Sequence, residues 1–142
     1  MSTNLPLTGG CQCGAVRYAV AAAPTEICVC HCRECRKQSS SAFGISVFVR
    51  RGDFALTHGA VKSWTRDTDS GRHLSCRFCP ECGTRLWHER EGVTEPEGIV
   101  SVKGGTFDHA VDLTCATHYW VSRKLPGVVI PEGATCFAEE PP

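Results

Sequence analysis

Hydrophobic and polar residues alternate with a period of two along much of this chain, the spacing of strands whose side chains point to opposite faces. Val16, Tyr18 and Val20 recur with Arg17 between them, and Phe43, Ile45, Val47 and Val49 recur against Gly44, Ser46 and Phe48. The pattern predicts a strand entering a glycine-rich corner at Gly9-Gly10, and a second leaving it toward Val20. A short β run over 26–30 and a strand over 43–49 follow, and Arg50-Arg51-Gly52-Asp53 turns the chain. Residues 61–65 and 72–78 read as a strand pair across the polar loop 66–71, and further strands are expected over 84–88, 99–102 and 118–121. No stretch keeps a 3.6-residue apolar period beyond about two turns, so little helix is expected. Many short strands punctuated by glycine and proline predict a mainly β, antiparallel, sandwich-like fold. It is read as a single domain over 1–142, with its core in roughly 5–125 and an irregular C-terminal tail.

Composition narrows the function. Lysine plus arginine equals aspartate plus glutamate, 15 against 15, so no overall field draws nucleic acid or an anionic membrane. Arg50-Arg51 and Arg36-Lys37 are too few for a phosphate-tracking stripe. No apolar run approaches the ~18 residues of a membrane-spanning helix. The segment Met1-Ser2-Thr3-Asn4-Leu5-Pro6 lacks the profile of a signal peptide, so a reducing, cytoplasmic setting is expected. Eleven cysteines cannot all pair within one chain, and clustered thiols in such a setting are more often metal ligands than disulfides.

Two clusters carry ligand spacing. Cys30, Cys32 and Cys35 form a C-x-C-x-x-C run. Strand geometry sets the first two on one face about 7 Å apart, and a tight turn can return the third. Three sulfurs leave one position of a tetrahedral zinc free, as reactive zinc requires, whereas structural sites are normally closed by four. Cys79-x-x-Cys82-Gly83 is a zinc knuckle, and Cys11-x-Cys13-Gly14 is its natural other half; together they predict a closed four-thiolate structural site. Two zinc ions per chain are therefore expected.

The three-cysteine run has plainer readings. It could be a structural site completed by His58, His73, His88, His109 or His118, or two of its thiols could form a disulfide. Strand alternation points His31 away from it. Cys28 and Cys76 stand at intervals that would suit an extra or substitute ligand, while Cys115 and Cys136 are isolated and read as packed core residues.

The run Gly10-Cys11-Gln12-Cys13-Gly14-Ala15-Val16-Arg17-Tyr18, the run Cys30-His31-Cys32-x-x-Cys35-Arg36-Lys37, and Phe78-Cys79-x-x-Cys82-Gly83-Thr84-x-Leu86 resemble the glutathione-dependent formaldehyde-activating (GFA) family in order, spacing and flanking residues. The resemblance continues through His118-Tyr119-Trp120-Val121 and Leu125-Pro126. It implies a mainly antiparallel β fold, a structural zinc on Cys11, Cys13, Cys79 and Cys82, and a labile zinc on Cys30, Cys32 and Cys35. Ser40 departs from the pattern, since relatives usually carry glycine there.

By resemblance, the implied reaction joins glutathione and formaldehyde to S-hydroxymethylglutathione, a carbon–sulfur lyase reaction run in reverse. A zinc with a free position would deprotonate a bound thiol or polarise the aldehyde oxygen. Arg33, Arg36 and Lys37 are the candidates to hold glutathione's carboxylates; otherwise they form a solvated surface loop. The alternative from another class is a non-enzymatic zinc module whose sheet face holds a protein partner. A methionine sulfoxide reductase-like enzyme ranks below both, because it expects two C-x-x-C knuckles and a separate catalytic cysteine.

Overall fold

The computed structural model describes residues 4–68 and 71–140. Residues 69–70 of the expected polar loop, and the ends of the chain at 1–3 and 141–142, lie outside the described residues. Among the described residues, ten strands form two sheets. Strands β1 (Leu7–Gly10), β2 (Arg17–Val20) and β5 (Phe54–His58) make a three-stranded antiparallel sheet in the order β1-β2-β5. The larger sheet takes β3 (Glu26–Cys30), β4 (Gly44–Arg50), β6 (Lys62–Asp67), β7 (His73–Phe78), β8 (Arg85–Arg90), β9 (Ile99–Lys103) and β10 (Thr117–Tyr119). Its spatial order is β10-β3-β4-β9-β8-β7-β6. Every strand read from alternation is present within a few residues of its expected ends, and the fold is mainly β with two sheets.

Three local features differ from the sequence reading. Strand β5 was not foreseen: it is a largely exposed edge, so it carries little apolar signal. The pair β3–β10 runs parallel, setting Thr117 opposite Cys28 and Tyr119 opposite Cys30. The Cys32–Cys35 turn continues as a short helix, α1 (Arg33–Ser39), none of whose residues is fully buried. With no apolar stripe, α1 is held by its ends. The Cys32 sulfur accepts the Cys35 amide, and Ser40 closes the helix in the left-handed region at φ 54, ψ 38. Glycine ordinarily supplies that conformation, so serine holds it against its own preference.

The core lies between the sheets. Leu7, Val16, Tyr18 and Val20 of the small-sheet side meet Val47, Val49, Trp87, Val100 and Val102 of the large one. Tyr18 stacks on Phe54 at 5.5 Å and Phe54 meets Trp87 at 4.8 Å, while the Tyr18 hydroxyl is satisfied by Thr106 Oγ1 at 2.7 Å. Burying such side chains contributes about 1.5–3 kcal/mol each before chain entropy is counted. The opposite face of the large sheet is polar. Pairing register places Cys28 beside Ser46 and Ser46 beside Lys103, with Cys76 beside His88 further along. Helix α1 docks on this face at Gly44, where a Cβ would lie 2.7 Å from Gln38 Nε2 and 3.1 Å from Cys35 Cβ. Only a residue without a side chain lets the helix come so close. No helix among the described residues is long and apolar enough to cross a membrane.

Candidate metal centres and the adjoining cleft

Two hairpin-like corners build the first sulfur group. Cys11 and Cys13 occupy the corner between β1 and β2, and Cys79 and Cys82 the turn between β7 and β8. The Cys11 amide donates to Val16 O and the Gly83 amide to Cys79 O, at 3.1 and 2.9 Å. Gly14 and Gly83 adopt φ of 83° and 82°, which only glycine takes without strain. The four sulfurs all lie within 4.8 Å of one another. Cys11 to Cys13 is 3.6 Å and Cys13 to Cys79 is 3.8 Å. A tetrahedron with Zn–S bonds of ~2.3 Å has edges near 3.8 Å, so this donor set fits zinc. Donors also converge on the sulfurs: the Val16 amide on Cys11 at 3.2 Å, the Glu81 amide on Cys79 at 3.4 Å, and the Thr84 hydroxyl beside Cys82 at 3.2 Å. The Thr84 hydroxyl and amide pull the Cys82 thiol down to about 5, favouring the thiolate that metals bind.

The second group is local in sequence. Cys30 ends β3, Cys32 caps α1, and Cys35 lies in the helix's first turn; all three are half-buried, with sulfurs within 4.8 Å of one another. Hydrogen bonds from the Cys30 and Cys35 thiols, outweighing burial, pull Cys32 down to about 2, while the same contacts push Cys30 up. Among the described residues, no further His, Cys, Asp or Glu joins this group.

None of the five histidines weighed as completing ligands joins this group, and three of them are engaged elsewhere. His73 bonds Asp67 at 2.7 Å, and His88 accepts from Arg85 Nη1 at 2.9 Å. His118 pairs with His31, His31 Nε2 to His118 Nδ1 at 3.0 Å, both rings buried and stacked. Cys28 and Cys76 are buried outside either sulfur group, where burial lifts the Cys28 thiol to about 12. Cys115 and Cys136 are exposed, contrary to the packed positions expected for them: Cys115 lies in a surface turn, and Cys136 makes a one-residue parallel bridge to His118 at the edge of β10. All eleven cysteines are free thiols.

Beside the three-sulfur group opens a cleft of about 700 Å³, bordered by Cys32, Arg33, Arg66, Trp120, Arg123 and Glu140. That volume is of the size that holds a small organic ligand. Arg123 lies over the Trp120 ring at 5.3 Å, and Trp120 Nε1 donates to Glu140 at 2.8 Å. Of the three cations singled out in the sequence, only Arg33 borders this cleft. Arg36 and Lys37, one turn along α1, border a separate depression with Ser40, Ser41 and Leu125. Arg66, Trp120 and Arg123 were not foreseen, because they approach from β6 and from the segment after β10, far away in sequence. The motif resemblance through Trp120 was the one sequence signal pointing there.

Comparison with solved structures finds a crystal structure of a Rhodobacter sphaeroides protein, a structural-genomics target, with a TM-score of 0.56. It is 22% identical, and the match covers 73% of this chain and 90% of that one, a likeness of fold. The model of the glutathione-dependent formaldehyde-activating enzyme family matches residues 6–123, a span holding both sulfur groups, α1 and most of the cleft. The chain belongs to that family.

Proposed function

We propose that this chain is a zinc-dependent carbon–sulfur lyase-type enzyme that adds a small thiol to an aldehyde, and reverses the addition, with glutathione and formaldehyde as the pair. The observation that carries this reading is a sulfur group with three members, one of which, Cys32, faces a ligand-sized cleft. Cys30, Cys32 and Cys35 would hold the ion, and Cys11, Cys13, Cys79 and Cys82 a structural one. A zinc at the three sulfurs would supply a site at which a substrate thiol loses its proton, or an aldehyde oxygen is polarised. In the addition, the thiol sulfur bonds the aldehyde carbon and the thiol proton ends on the aldehyde oxygen, so no group leaves.

The chain's residues supply binding and orientation. Arg33 presents a planar fork suited to a carboxylate, and Arg66 and Arg123 also border the cleft, where Glu34, Asp67 and Glu140 balance the three cations and suit the ammonium of a tripeptide that carries both signs. Arg36 and Lys37 would touch only a part of the substrate reaching beyond the cleft. None of the eleven cysteines is joined in a disulfide, which suits the cytoplasm, where glutathione is kept reduced.

The test is exchange NMR on 13C-formaldehyde and glutathione at equilibrium, with the uncatalysed addition as baseline. Zinc-loaded protein should speed interconversion by at least about tenfold, lowering the barrier by about 1.4 kcal/mol or more. The Cys32→Ser variant should sit at baseline. Parent protein indistinguishable from buffer would remove the catalytic reading and leave a zinc module.

A further inference from the structure

We propose that Lys103 is the internal counter-cation of the three-sulfur centre, a buried ammonium that offsets the negative charge left when three thiolates hold one divalent ion. The inference rests on the reading that Cys30, Cys32 and Cys35 bind a metal, and does not need that metal to be catalytic.

Lys103 ends β9 on the polar face of the large sheet, and only 9% of it is exposed. Its ammonium donates to Ser46 Oγ at 3.3 Å and meets no carboxylate among the described residues. An isolated ammonium so placed is costly, and proteins ordinarily pair such charges. Its neighbours are thiols instead. Register sets Cys28 beside Ser46 and Ser46 beside Lys103, while Cys35 sits over the same face where α1 meets Gly44. Burial lowers the Lys103 pKa, and Cys35, then Cys28, then Cys76, act against that fall, while the Arg85 cation adds to it.

Cys28 and Cys76 belong to neither sulfur group, so they stay neutral thiols. Cys35 differs, because a thiol that coordinates a metal is deprotonated outright. Three thiolates around a divalent ion sum to one negative charge, and Lys103 brings the assembly to neutrality. The cation would thus favour the loaded centre over the empty one. By linkage, the loaded centre would favour the charged lysine equally.

The test uses full-length protein with Zn²⁺ and Co²⁺ as probes, reading affinity by chelator competition and by the sulfur-to-cobalt charge-transfer band. Lys103→Met keeps the bulk and removes the charge. It should weaken one of the two ions by about ten- to a hundredfold and leave the other unchanged. Lys103→Arg should retain most of the affinity. The increase in melting temperature on filling the three-sulfur group should shrink in Lys103→Met, while metal-free melting at that group holds or rises, which lost packing alone would not produce. Should Lys103→Met fail to fold, Ser46→Asp offers the ammonium a rival anion and should loosen the same ion.

Equal affinities in parent and variants would overturn the inference. Loss of both ions together would also overturn it, by showing a general structural role. A parent that binds no metal at Cys30, Cys32 and Cys35 would sink both this inference and the reading beneath it.

Discussion

The two sulfur groups use the same ligand atom and are built in opposite ways. The four-sulfur group joins two β corners whose cysteines stand 66 residues apart in sequence, each corner fixed by backbone hydrogen bonds and a positive-φ glycine. The three-sulfur group is gathered from six consecutive residues, a strand end followed by a seven-residue helix with no buried side chain. Opening the first would part the small sheet from the large one. Opening the second would loosen only α1. Ligand number and backbone stiffness therefore change together, and an exchangeable ion belongs where the supporting backbone is locally expendable.

Paired substitutions break or confirm this contrast. Cys79→Ser, at a fully buried sulfur, should have the largest effect: on the order of 5 kcal/mol or more of stability, with loss of cooperative unfolding by circular dichroism. Cys32→Ser should release about one of two zinc ions, counted by atomic absorption, with unfolding still cooperative and stability lowered by no more than about 2 kcal/mol. If the two variants lose equal stability, the division between a closing and an exchanging site fails.

An acid titration sharpens the contrast on the face that α1 covers. Burial first, then the cations Lys103, Arg85 and Arg66, hold the His88 pKa down at about 2. An unfolded imidazole protonates near pH 6.5 and the folded one does not, so the contribution is full above pH 6.5. It declines as the pH falls below 6.5, by about 1.4 kcal/mol per pH unit, until the folded value is reached. Denaturant unfolding at pH 5 should show a loss relative to pH 7.5 of which His88 contributes about 2 kcal/mol. The rest includes the His31–His118 pair, whose pKa values burial also lowers, and His88→Gln should remove the His88 part. An unchanged loss in the variant would take His88 out of the account.

Both sulfur groups were legible in the sequence because their information is local. C-x-C, C-x-x-C and the glycines after them specify turns that converge sulfurs, whatever sheet lies behind. Strands were legible wherever one face is buried, as with Val16, Tyr18 and Val20. Helix α1 was not, since Arg33–Ser39 has no apolar stripe and depends on its caps. The His31–His118 contact spans 87 residues and exists because β10 pairs in parallel with β3, which no local pattern announces. Lys103 went unread: it alternates with Val100 and Val102 and so lies on the opposite face, which α1 covers, and the helix itself was unseen. The cleft shares this origin, since Arg66, Trp120 and Arg123 meet Cys32 only in the folded chain.

Smaller effects are expected where one residue tunes a site without building it. Ser40 holds a left-handed conformation at the end of α1, so Ser40→Gly should raise stability by about 0.5–1 kcal/mol. The zinc of the three-sulfur group should also leave more slowly, measured by chelator chase, because the helix that carries Cys35 frays less. A destabilised Ser40→Gly would mean that the serine side chain does more at the cap than occupy it.

The smallest effect should come from the ion pair nearest the four-sulfur corner. Asp108 accepts hydrogen bonds from both terminal nitrogens of Arg17 and, at 2.7 Å, from the Thr8 hydroxyl, tying β1 and β2 to the chain beyond β9. Arg17, then Thr8, hold the Asp108 carboxyl down at about 2. Its contribution is complete above the unfolded carboxyl's pKa of about 4, and is lost as the pH falls through about 2. The side chains are 38% and 48% exposed, so solvent screening leaves a small fraction of that shift as stability. Asp108→Asn should cost about 0.5 kcal/mol at pH 7 in low salt, and almost nothing near 1 M salt, by denaturant unfolding of the zinc-loaded protein. A loss above about 2 kcal/mol would mean that side-chain charge rather than the sulfur group holds this corner closed. Cys79→Ser would then unfold the protein for a reason other than the loss of a metal.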